Sequence, residues 1–508
     1  MPASPARRVS LAFVVVAVVC TVLGDFEVST LDPWHELGRL GLGLITPTIT
    51  DTAQLAEAVL YTVAFAMVGV LVAAACGFAL ALVFHRRVVR AGCAFIRAVH
   101  ELFWALLLMQ MFGLSSLTGL LAIAIPYAGI FAKVYSEILE EADPAPLQTI
   151  PAAAGRISTF LFARLPDAWV HMRSYSLYRL ECGLRASAVL GFVGLPTLGF
   201  HLESYFSQRQ YSEAWAMLFV LYALIATVRL WGRPRLIPLL AAGSLFVLPA
   251  GDSISLANVT RFLSEDIVPD PLRGGALDGA TLTALGAWAA DLVTGQALEG
   301  IVNTVLLSQV ALVATGLLAL AWFPLVSRRF FGPVGRTSGH LFLVVMRSTP
   351  EYVLAYVLLQ LWGPSMLPAV VALAIHNGGI IGHLIGRYTD ALPLRPDRPR
   401  RRLDLYGYEA VPRVYGQFLA FLFYRWEWIM RETAILGILG IHTLGFYVDS
   451  ALAEFRFDEA LALILITALM NIAIDATSRA IRARLRLTTT PGGVHADARA
   501  LQPAGGGG

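Results

Sequence analysis

The chain has 508 residues, of which 57% are hydrophobic and 14% are charged, and its mean hydropathy is +0.67. Soluble domains carry about 25% charged residues, so this composition excludes an ordinary soluble enzyme or binding domain and predicts a polytopic membrane protein. The formal net charge of +3 is small, and we expect membrane lipid, not nucleic acid, around the chain. The four cysteines lie in or beside apolar segments without metal-ligand spacing, so no metal site is expected.

Twelve apolar segments approach the roughly 20 residues that cross a bilayer, about six in each half of the chain. In the first half they lie near residues 9–24, 56–84, 95–113, 115–135, 168–195 and 213–231. In the second half they lie near residues 236–250, 298–326, 343–362, 366–385, 418–440 and 456–478. The first segment follows Arg7-Arg8 and lacks an A-x-A cleavage site, which favours a retained helix. The pattern predicts an all-α fold with about twelve transmembrane helices.

Charge in the loops predicts the orientation of these helices. Loops on one side collect arginine: Arg86, Arg87, Arg90, Arg229, Arg233, Arg235, Arg328, Arg329, the run from Arg387 to Arg413, and Arg479, Arg482, Arg484 and Arg486. The opposite loops, residues 25–51 and 251–297, are mostly acidic. Because cytoplasmic loops are the positive ones, we expect both termini in the cytoplasm. Residues 487–508 have no apolar pattern and are expected to form a disordered cytoplasmic tail.

A block of charged residues and glycines occurs twice with a constant offset of 246 positions. Tyr178, Arg179, Glu181, Arg185, Gly191, Gly194 and Gly199 recur as Tyr424, Arg425, Glu427, Arg431, Gly437, Gly440 and Gly445. Arg97 and Glu101 also match Arg347 and Glu351 at an offset of 250. Such self-similarity indicates two tandem units, residues 1–235 and 236–486. Since each has an even number of segments, they are predicted to be parallel repeats.

The repeated block resembles the membrane permease of phosphonate-type ABC importers, which works as a pair of six-helix units. The resemblance implies a type I importer permease fold, here with two units fused in one chain, in the bacterial inner membrane. It also implies two cytoplasmic ATPase subunits and an extracytoplasmic solute-binding protein as partners. Lys133 is the single lysine, so the chain cannot form the P-loop motif. We expect no cofactor in this chain and ATP hydrolysis in a separate subunit.

The resemblance further implies cytoplasmic coupling loops that contact the ATPase, near residues 137–166 and 386–413. Members of the family usually carry Glu-Ala-Ala-x-x-x-Gly, with Leu-Pro about thirteen residues after that glycine. The first loop keeps part of this pattern, and the second keeps mainly a proline in an arginine-rich stretch. The candidate coupling residues are Glu140, Glu141, Ala142, Gly155, Leu165, Pro166 and Pro412. A cluster of arginines that only sets topology is an equal alternative for the second loop.

The charged residues of the repeated block are candidates for the substrate pathway, because ionisable groups inside a membrane are costly unless paired or wetted. They are Arg179, Glu181, Arg185, Arg425, Glu427 and Arg431. Together with the unmatched Glu432 they carry a net positive charge of one, which suits an oxyanion that arginine binds through bidentate hydrogen bonds. The alternative is that each Glu–Arg pair, at i,i+4 spacing, is a salt bridge that stiffens its helix.

Two classes of function remain open at this point. The first is the permease subunit of an ATP-driven importer for a phosphonate or related phosphorus oxyanion. The second is a proton-coupled secondary transporter of a small anion, since twelve helices in two parallel halves also suit that class. A membrane enzyme has no supporting motif, because G-x-S-x-G, H-E-x-x-H and clustered metal ligands do not occur. We also expect irregular backbone at Pro126 and at His376–Gly379, in the middle of two spans.

Overall fold

The computed structural model describes residues 5–29, 32–142, 155–248, 255–273, 278–399 and 401–487. It is 84% helical, and these residues form no β-strand. The predicted all-α fold is therefore confirmed. Residues 143–154 of the first predicted coupling loop, residue 400 of the second, and the predicted tail from residue 488 onward lie outside the described residues.

Eighteen helices of eight residues or more occur in the described part of the chain. They are α1 (Pro5–Leu23), α2 (Pro33–Ile45), α3 (Thr52–Leu82), α4 (Arg87–Ala98), α5 (Glu101–Phe112), α6 (Ser116–Glu141), α7 (Leu165–Val189), α8 (Leu198–Ser207), α9 (Tyr211–Trp231), α10 (Ile237–Val247), α11 (Gly279–Leu292), α12 (Leu298–Trp322), α13 (Pro333–Ser348), α14 (Glu351–Trp362), α15 (Met366–Ala391), α16 (Val411–Gly437), α17 (Leu444–Ala453) and α18 (Phe457–Arg484). The series α3–α9 and α12–α18 follow the same order. Helices α6 and α15 both have 26 residues, offset by 250 positions, as the sequence repeat requires.

Among the described residues, seven helices are long and apolar enough to cross a membrane, and the number rises to ten if each of three bent helix pairs counts as one span. The predicted twelve spans are therefore not confirmed. The expected spans at 95–113 and 343–362 are each interrupted, because α4 meets α5 at 92° and α13 meets α14 at 89°. The expected span at 236–250 is only the 11-residue α10, about 16 Å long at 1.5 Å per residue, which is shorter than the roughly 30 Å hydrocarbon core.

The chain forms two compact units. One, here called the second-repeat unit, contains Met1–Leu31, Leu298–Phe446 and Met470–Gly508. Within it α1 packs against α12 and α16, and Phe13 makes edge-to-face contacts with Phe423 at 5.1 Å and Trp426 at 5.2 Å. The N-terminal helix thus belongs with the core of the second repeat. The tandem boundary at residues 235 and 236 concerns the sequence repeat and stays a prediction.

The other unit, here called the first-repeat unit, contains Asp32–Ala297 and Tyr447–Leu469. Its core consists of α3, α6 and α7, and α10 packs against α3. Polar N-caps begin two of the core helices: the Asp51 carboxylate accepts from the amides of Ala53 and Gln54, and Ser115 Oγ accepts from the amide of Thr118. These side chains satisfy backbone amides that have no partner within the helix.

The amphipathic helix α2 is attached to the start of α9 in the first-repeat unit. Tyr211 donates a hydrogen bond to the Glu36 carboxylate at 2.8 Å, and Arg39 and Arg209 lie 3.2 and 3.3 Å from the same carboxylate. Trp215 Nε1 donates to the Leu40 carbonyl at 3.0 Å. The Tyr211 hydrogen bond, followed by the two arginines, holds the pKa of Glu36 below its ordinary value. Ionised Glu36 therefore stabilises this attachment.

The repeated glycines form the corner between α7 and α8. Gly194 has a φ of +96°, which an L side chain rarely adopts. A Cβ on Gly199 would lie 2.6 Å from the carbonyl carbon of Ala188, so only glycine allows the two helices to approach this closely. Thr62 Oγ1 accepts from the amide of Leu198 at 2.9 Å and holds the corner against α3.

The second repeat has the same corner between α16 and α17. Gly440 has a φ of +83°, and a Cβ on Gly445 would lie 2.8 Å from the carbonyl carbon of Ala434. Thr304 Oγ1 accepts from the amide of Leu444 at 3.0 Å. The glycines of the repeated block therefore have a structural role, which leaves its arginines and glutamates as candidates for function.

Candidate functional site

In the first-repeat unit, Arg179 projects from α7 into the protein interior and is 3% exposed. Its guanidinium carbon lies 4.4 Å from the ring centroid of Tyr127, on α6, and 6.0 Å from that of Tyr175. Cation–π contacts of this kind gain strength when water is excluded. The aromatic side chains therefore help to accommodate a cation at the centre of an apolar unit.

The other charged residues of the first copy lie on the same helix. Arg185 donates to Cys182 Sγ at 3.4 Å. Glu181 is half-buried and forms no ion pair with a described residue, so the i,i+4 salt bridge with Arg185 is not formed. Tyr178, which precedes Glu181 by three positions, is 52% exposed. In this copy the interpretation of the charges as a helix-stiffening pair has no support.

In the second-repeat unit, the equivalent Arg425 takes part in a polar network between α15 and α16. Arg425 Nε donates to Asn377 Oδ1 at 2.7 Å, and Asn377 Nδ2 donates to Glu432 Oε2 at 2.9 Å. A terminal nitrogen of Arg425 also lies 3.8 Å from Glu432 Oε1. Asn377 and Glu432 are buried, so the network balances charge inside the unit.

Arg431 is close to this network and is 8% exposed. Its guanidinium carbon lies 4.1 Å from the ring centroid of Trp428, and that of Arg425 lies 5.5 Å from the same ring. Glu427 is half-buried on the same helix. The structure thus brings Arg425 and Arg431 to one aromatic side chain, a juxtaposition that helix spacing alone did not predict.

Glu351, His376 and Glu432 offer ligand atoms that all lie within 4.8 Å of one another. The Nδ1 atom of His376 is 2.8 Å from the Thr349 carbonyl oxygen, the arrangement that orients a metal-binding histidine. However, the guanidinium of Arg425 already places a positive charge 3.8 Å from Glu432. We interpret the group as an extension of the Arg425 network, and the expected absence of a metal site stays a prediction.

Two residues of this network, His376 and Asn377, lie where the sequence predicted irregular backbone. Helix α15 instead continues from Met366 to Ala391, and α6 continues through Pro126. That prediction was wrong, because packed helices tolerate a proline or paired glycines in the interior of a membrane protein. Asn377 was missed as a site residue, and its signal was a polar side chain in the middle of an apolar span.

The candidate coupling residues lie at helix ends. Glu140 and Glu141 end α6, Ala142 follows it, and Gly155 precedes the short helix Arg156–Thr159. Leu165 and Pro166 begin α7, and Pro412 occupies the first turn of α16. Proline is tolerated in a first turn because its missing N–H would have no intrahelical partner there. The contact with an ATPase stays a prediction.

The second predicted coupling loop packs against its own unit. Glu409 is buried, accepts from the amide of Arg395 at 3.0 Å and pairs with Arg413 at 2.8 Å. Tyr406 stacks on Phe323 with ring centroids 5.5 Å apart and donates to the Leu320 carbonyl at 3.1 Å. These contacts give the described part of the arginine-rich loop a defined conformation, and both interpretations of the loop, coupling and topology, stay predictions.

Comparison with curated proteins identifies the family. The putative cryptic phosphonate transport system permease protein PhnE2 of Escherichia coli is 30% identical over 108 residues, which cover 88% of that protein and 21% of this chain. The chain belongs to the phosphonate-type ABC importer permeases. No family model matches the chain, and no solved structure is significantly similar to it.

Two further relatives show how much of the chain is similar to permeases of this family. The phosphate-import permease protein PhnE of Mycolicibacterium smegmatis is 25% identical over 485 residues, which cover 87% of this chain and 88% of that protein. The phosphite transport system permease protein PtxC of Stutzerimonas stutzeri is 27% identical over 232 residues, 44% of this chain but 84% of that protein. The match to PtxC takes up 44% of the chain, in agreement with a tandem fusion. With seven to ten apolar spans, this permease is a multi-pass inner-membrane protein.

Proposed function

We propose that this chain forms the translocation pathway of an ATP-driven importer for a phosphonate or a related phosphorus oxyanion. The observation that carries the proposal is the pair of repeat-equivalent arginines, Arg179 and Arg425, both in the interior of a membrane protein. The relatives are named for phosphate import, phosphite transport and phosphonate transport, and arginine is the side chain best suited to tetrahedral oxyanions.

The environments of the arginines support this role. Arg185 and Arg431 follow Arg179 and Arg425 by six positions, so each repeat contributes two guanidinium groups from one helix. Aromatic faces lie beside Arg179 and Arg431 and tolerate a cation without neutralising it. A substrate oxyanion would therefore meet guanidinium groups that lie against aromatic faces at these two positions. Glu181 and Glu427 lie on the same helices and keep the net positive charge small.

We further propose that the two repeats together form twelve spans with both termini in the cytoplasm. Two cytoplasmic ATPase subunits hydrolyse ATP, and an extracytoplasmic solute-binding protein delivers the substrate. The segment from Glu140 to Pro166 contacts one ATPase, and the ordered loop before Pro412 contacts the other. The arginine-rich loops and the absence of a P-loop sequence support this division of labour.

Uptake by cells that express the full transport system tests the pathway residues. Replacing Arg185 and Arg431 together with alanine should reduce uptake of labelled methylphosphonate or phosphate at least about tenfold, because charge-assisted hydrogen bonds to the substrate are lost. The exposed Arg484, changed to alanine, is the matched control and should leave uptake unchanged. Co-purification of the ATPase verifies that each variant assembles. Normal uptake by the assembled double variant would refute the pathway role.

The energy source is tested separately in proteoliposomes that contain the permease, the ATPase and the binding protein. Uptake should require ATP in the lumen, on the ATPase side, and should persist when a protonophore collapses the proton gradient. The reverse result, uptake without ATP that stops with the protonophore, would establish the secondary transporter in place of the importer.

A further inference from the structure

A polar cavity of about 560 Å³ lies in the second-repeat unit and shares no residue with the Arg425 network. This volume is within the range of about 300–1,000 Å³ that is usual for sites of small ligands. Helices α13 and α15 supply four of its five basic residues, in two pairs with i,i+4 spacing: Arg336 with His340, and His383 with Arg387. Such spacing places each pair on one face of its helix. The rings of His340 and His383 lie 5.0 Å apart.

Asp390 is the single carboxylate among the lining residues, and it is already engaged. One of its oxygens accepts from the Ser327 hydroxyl at 2.6 Å and from the Arg328 amide at 2.9 Å. The other lies 3.5 Å from Arg328 Nε. Among the described residues, neither Arg336 nor Arg387 has a carboxylate partner. The lining thus has three guanidinium groups and one carboxylate, a formal excess of two positive charges with the histidines neutral.

His383 provides an independent indication of a missing ligand. Its side chain lines the cavity, the residue is 5% exposed, and its Nδ1 atom has no hydrogen-bond partner within the described part of the chain. Buried polar atoms without a partner cost free energy and are uncommon in native proteins. A ligand that accepts a hydrogen bond from this nitrogen would satisfy it.

The first repeat has a different arrangement at the equivalent positions. An offset of 250 places Lys133 opposite His383 and Glu137 opposite Arg387. In the first-repeat unit Lys133 and Glu137 form an ion pair at 4.0 Å. The second repeat has histidine and arginine at these positions, so with the histidine neutral the pair carries one net positive charge, whereas Lys133 and Glu137 together carry none. An anion bound in the cavity would restore the balance.

We propose that this cavity binds a phosphate-type oxyanion group. Arg336 and Arg387 would approach it from two helices, as guanidinium groups bind phosphate oxygens, and His383 would donate from Nδ1. The group comes either from a free oxyanion in solution or from the headgroup of an anionic phospholipid, and both present the same oxygens. Because this end of α15 continues into an arginine-rich loop, the positive-inside rule predicts that it faces the cytoplasm.

The test uses the full chain in nanodiscs of phosphatidylcholine, to which orthophosphate is added in a calorimetric titration. The key variant is Arg387→Glu, which introduces the residue that the first repeat has at the equivalent position, Glu137. Arg336→Gln removes a second guanidinium and keeps a polar side chain, and Arg484→Gln, outside the cavity, is the control. Wild type and R484Q should bind orthophosphate saturably. R387E and R336Q should weaken this binding at least about tenfold, since each loses a charge-assisted hydrogen bond.

A second arm distinguishes the two sources. Nanodiscs with one anionic lipid, phosphatidylglycerol, in phosphatidylcholine are disassembled, and the lipid retained by the protein is measured by native mass spectrometry. Retention by wild type but not by R387E, together with competition by orthophosphate, identifies a headgroup site. Orthophosphate binding without selective lipid retention identifies a free oxyanion. Equal orthophosphate binding and equal lipid retention in wild type, R387E and R336Q would overturn the proposal.

Thermal unfolding establishes that each variant is folded, and R336Q keeps the test decisive if R387E fails to fold. This inference does not depend on the proposed pathway. If the Arg185 and Arg431 double variant loses uptake but still binds orthophosphate, the cavity is a binding site separate from the pathway arginines. Normal uptake by R387E with lost orthophosphate binding would show that the cavity is separate from transport.

Discussion

Replacing Gly199 with alanine should destabilise the protein substantially, because the new methyl group meets backbone that cannot rotate away. The Cβ would lie 2.6 Å from the carbonyl carbon of Ala188 and even closer to its oxygen. Ordinary contact between carbon atoms is about 3.5–4.0 Å. Helix α8 must therefore move about 1 Å away from α7, at the corner that both copies of the repeated block form.

The magnitude follows from what such a shift breaks. The amide of Leu198 donates to Thr62 Oγ1 at 2.9 Å, and a 1 Å displacement takes this pair beyond hydrogen-bonding distance. Losing the hydrogen bond costs about 1 kcal/mol, and the overpacking itself costs about 1–3 kcal/mol. The expected loss is about 2–4 kcal/mol, and Gly445→Ala should match it, since its Cβ would lie 2.8 Å from the Ala434 carbonyl carbon.

Thermal unfolding of the purified chain in detergent, followed by tryptophan fluorescence, measures this effect. Gly41→Ala is the matched control, because a Cβ there meets nothing within 4 Å. Gly41 lies inside α2, so this alanine should raise stability by up to about 1 kcal/mol through helix propensity. An unchanged midpoint for G199A and G445A would show that the corner relaxes freely and would refute the steric argument.

Three further contacts are tested by the same unfolding assay. Glu36→Gln should lower the midpoint at pH 7 but not at low pH: the lowered pKa of Glu36 means that its stabilisation is present above its ordinary pKa and disappears as pH falls through the folded value. A stability difference that stays constant from pH 7 to pH 3.5 would contradict this assignment. Thr304→Val should cost about 1–3 kcal/mol, because the buried amide of Leu444 loses its acceptor; a neutral effect would mean that another acceptor replaces it. Arg425→Gln should cost about 3–5 kcal/mol by leaving Glu432 as an uncompensated buried charge, and adding Glu432→Gln should recover much of the loss. Additive effects of these two substitutions would show that they do not interact.

Much of the fold was accessible from hydropathy and self-similarity. The all-helical class and the repeat follow from apolar segments and constant offsets, and the equal lengths of α6 and α15 agree with them. The predicted number of spans was not confirmed, because mean hydropathy does not show where a capping residue ends one helix and starts the next. His100 accepts from the amide of Leu102 and begins α5 at a sharp angle to α4. Pro350 begins α14 at the corresponding break. Each break in the structure interrupts a stretch of sequence that is apolar on average.

The candidate site was only partly predictable, because helix spacing describes one helix at a time. It placed Glu181 and Arg185 on one face, but it could not show that Glu181 remains without an ion pair in the folded unit. It also could not show that Asn377, on another helix, would link Arg425 to Glu432. Contacts between helices depend on rotation about each axis, which a sequence period leaves undetermined.

The two repeats differ in the residues that lie beside their equivalent arginines, Arg179 and Arg425. At an offset of 246 Glu432 corresponds to Ala186, and at an offset of 250 Asn377 corresponds to Tyr127. The second repeat thus supplies a carboxylate and an amide beside its arginine, whereas the first supplies a small residue and an aromatic face. Changing Ala186 alone to glutamate would bury a carboxylate without the amide that supports Glu432. The two repeats thus place their equivalent arginines in different surroundings, Arg179 beside aromatic rings and Arg425 beside an amide and a carboxylate.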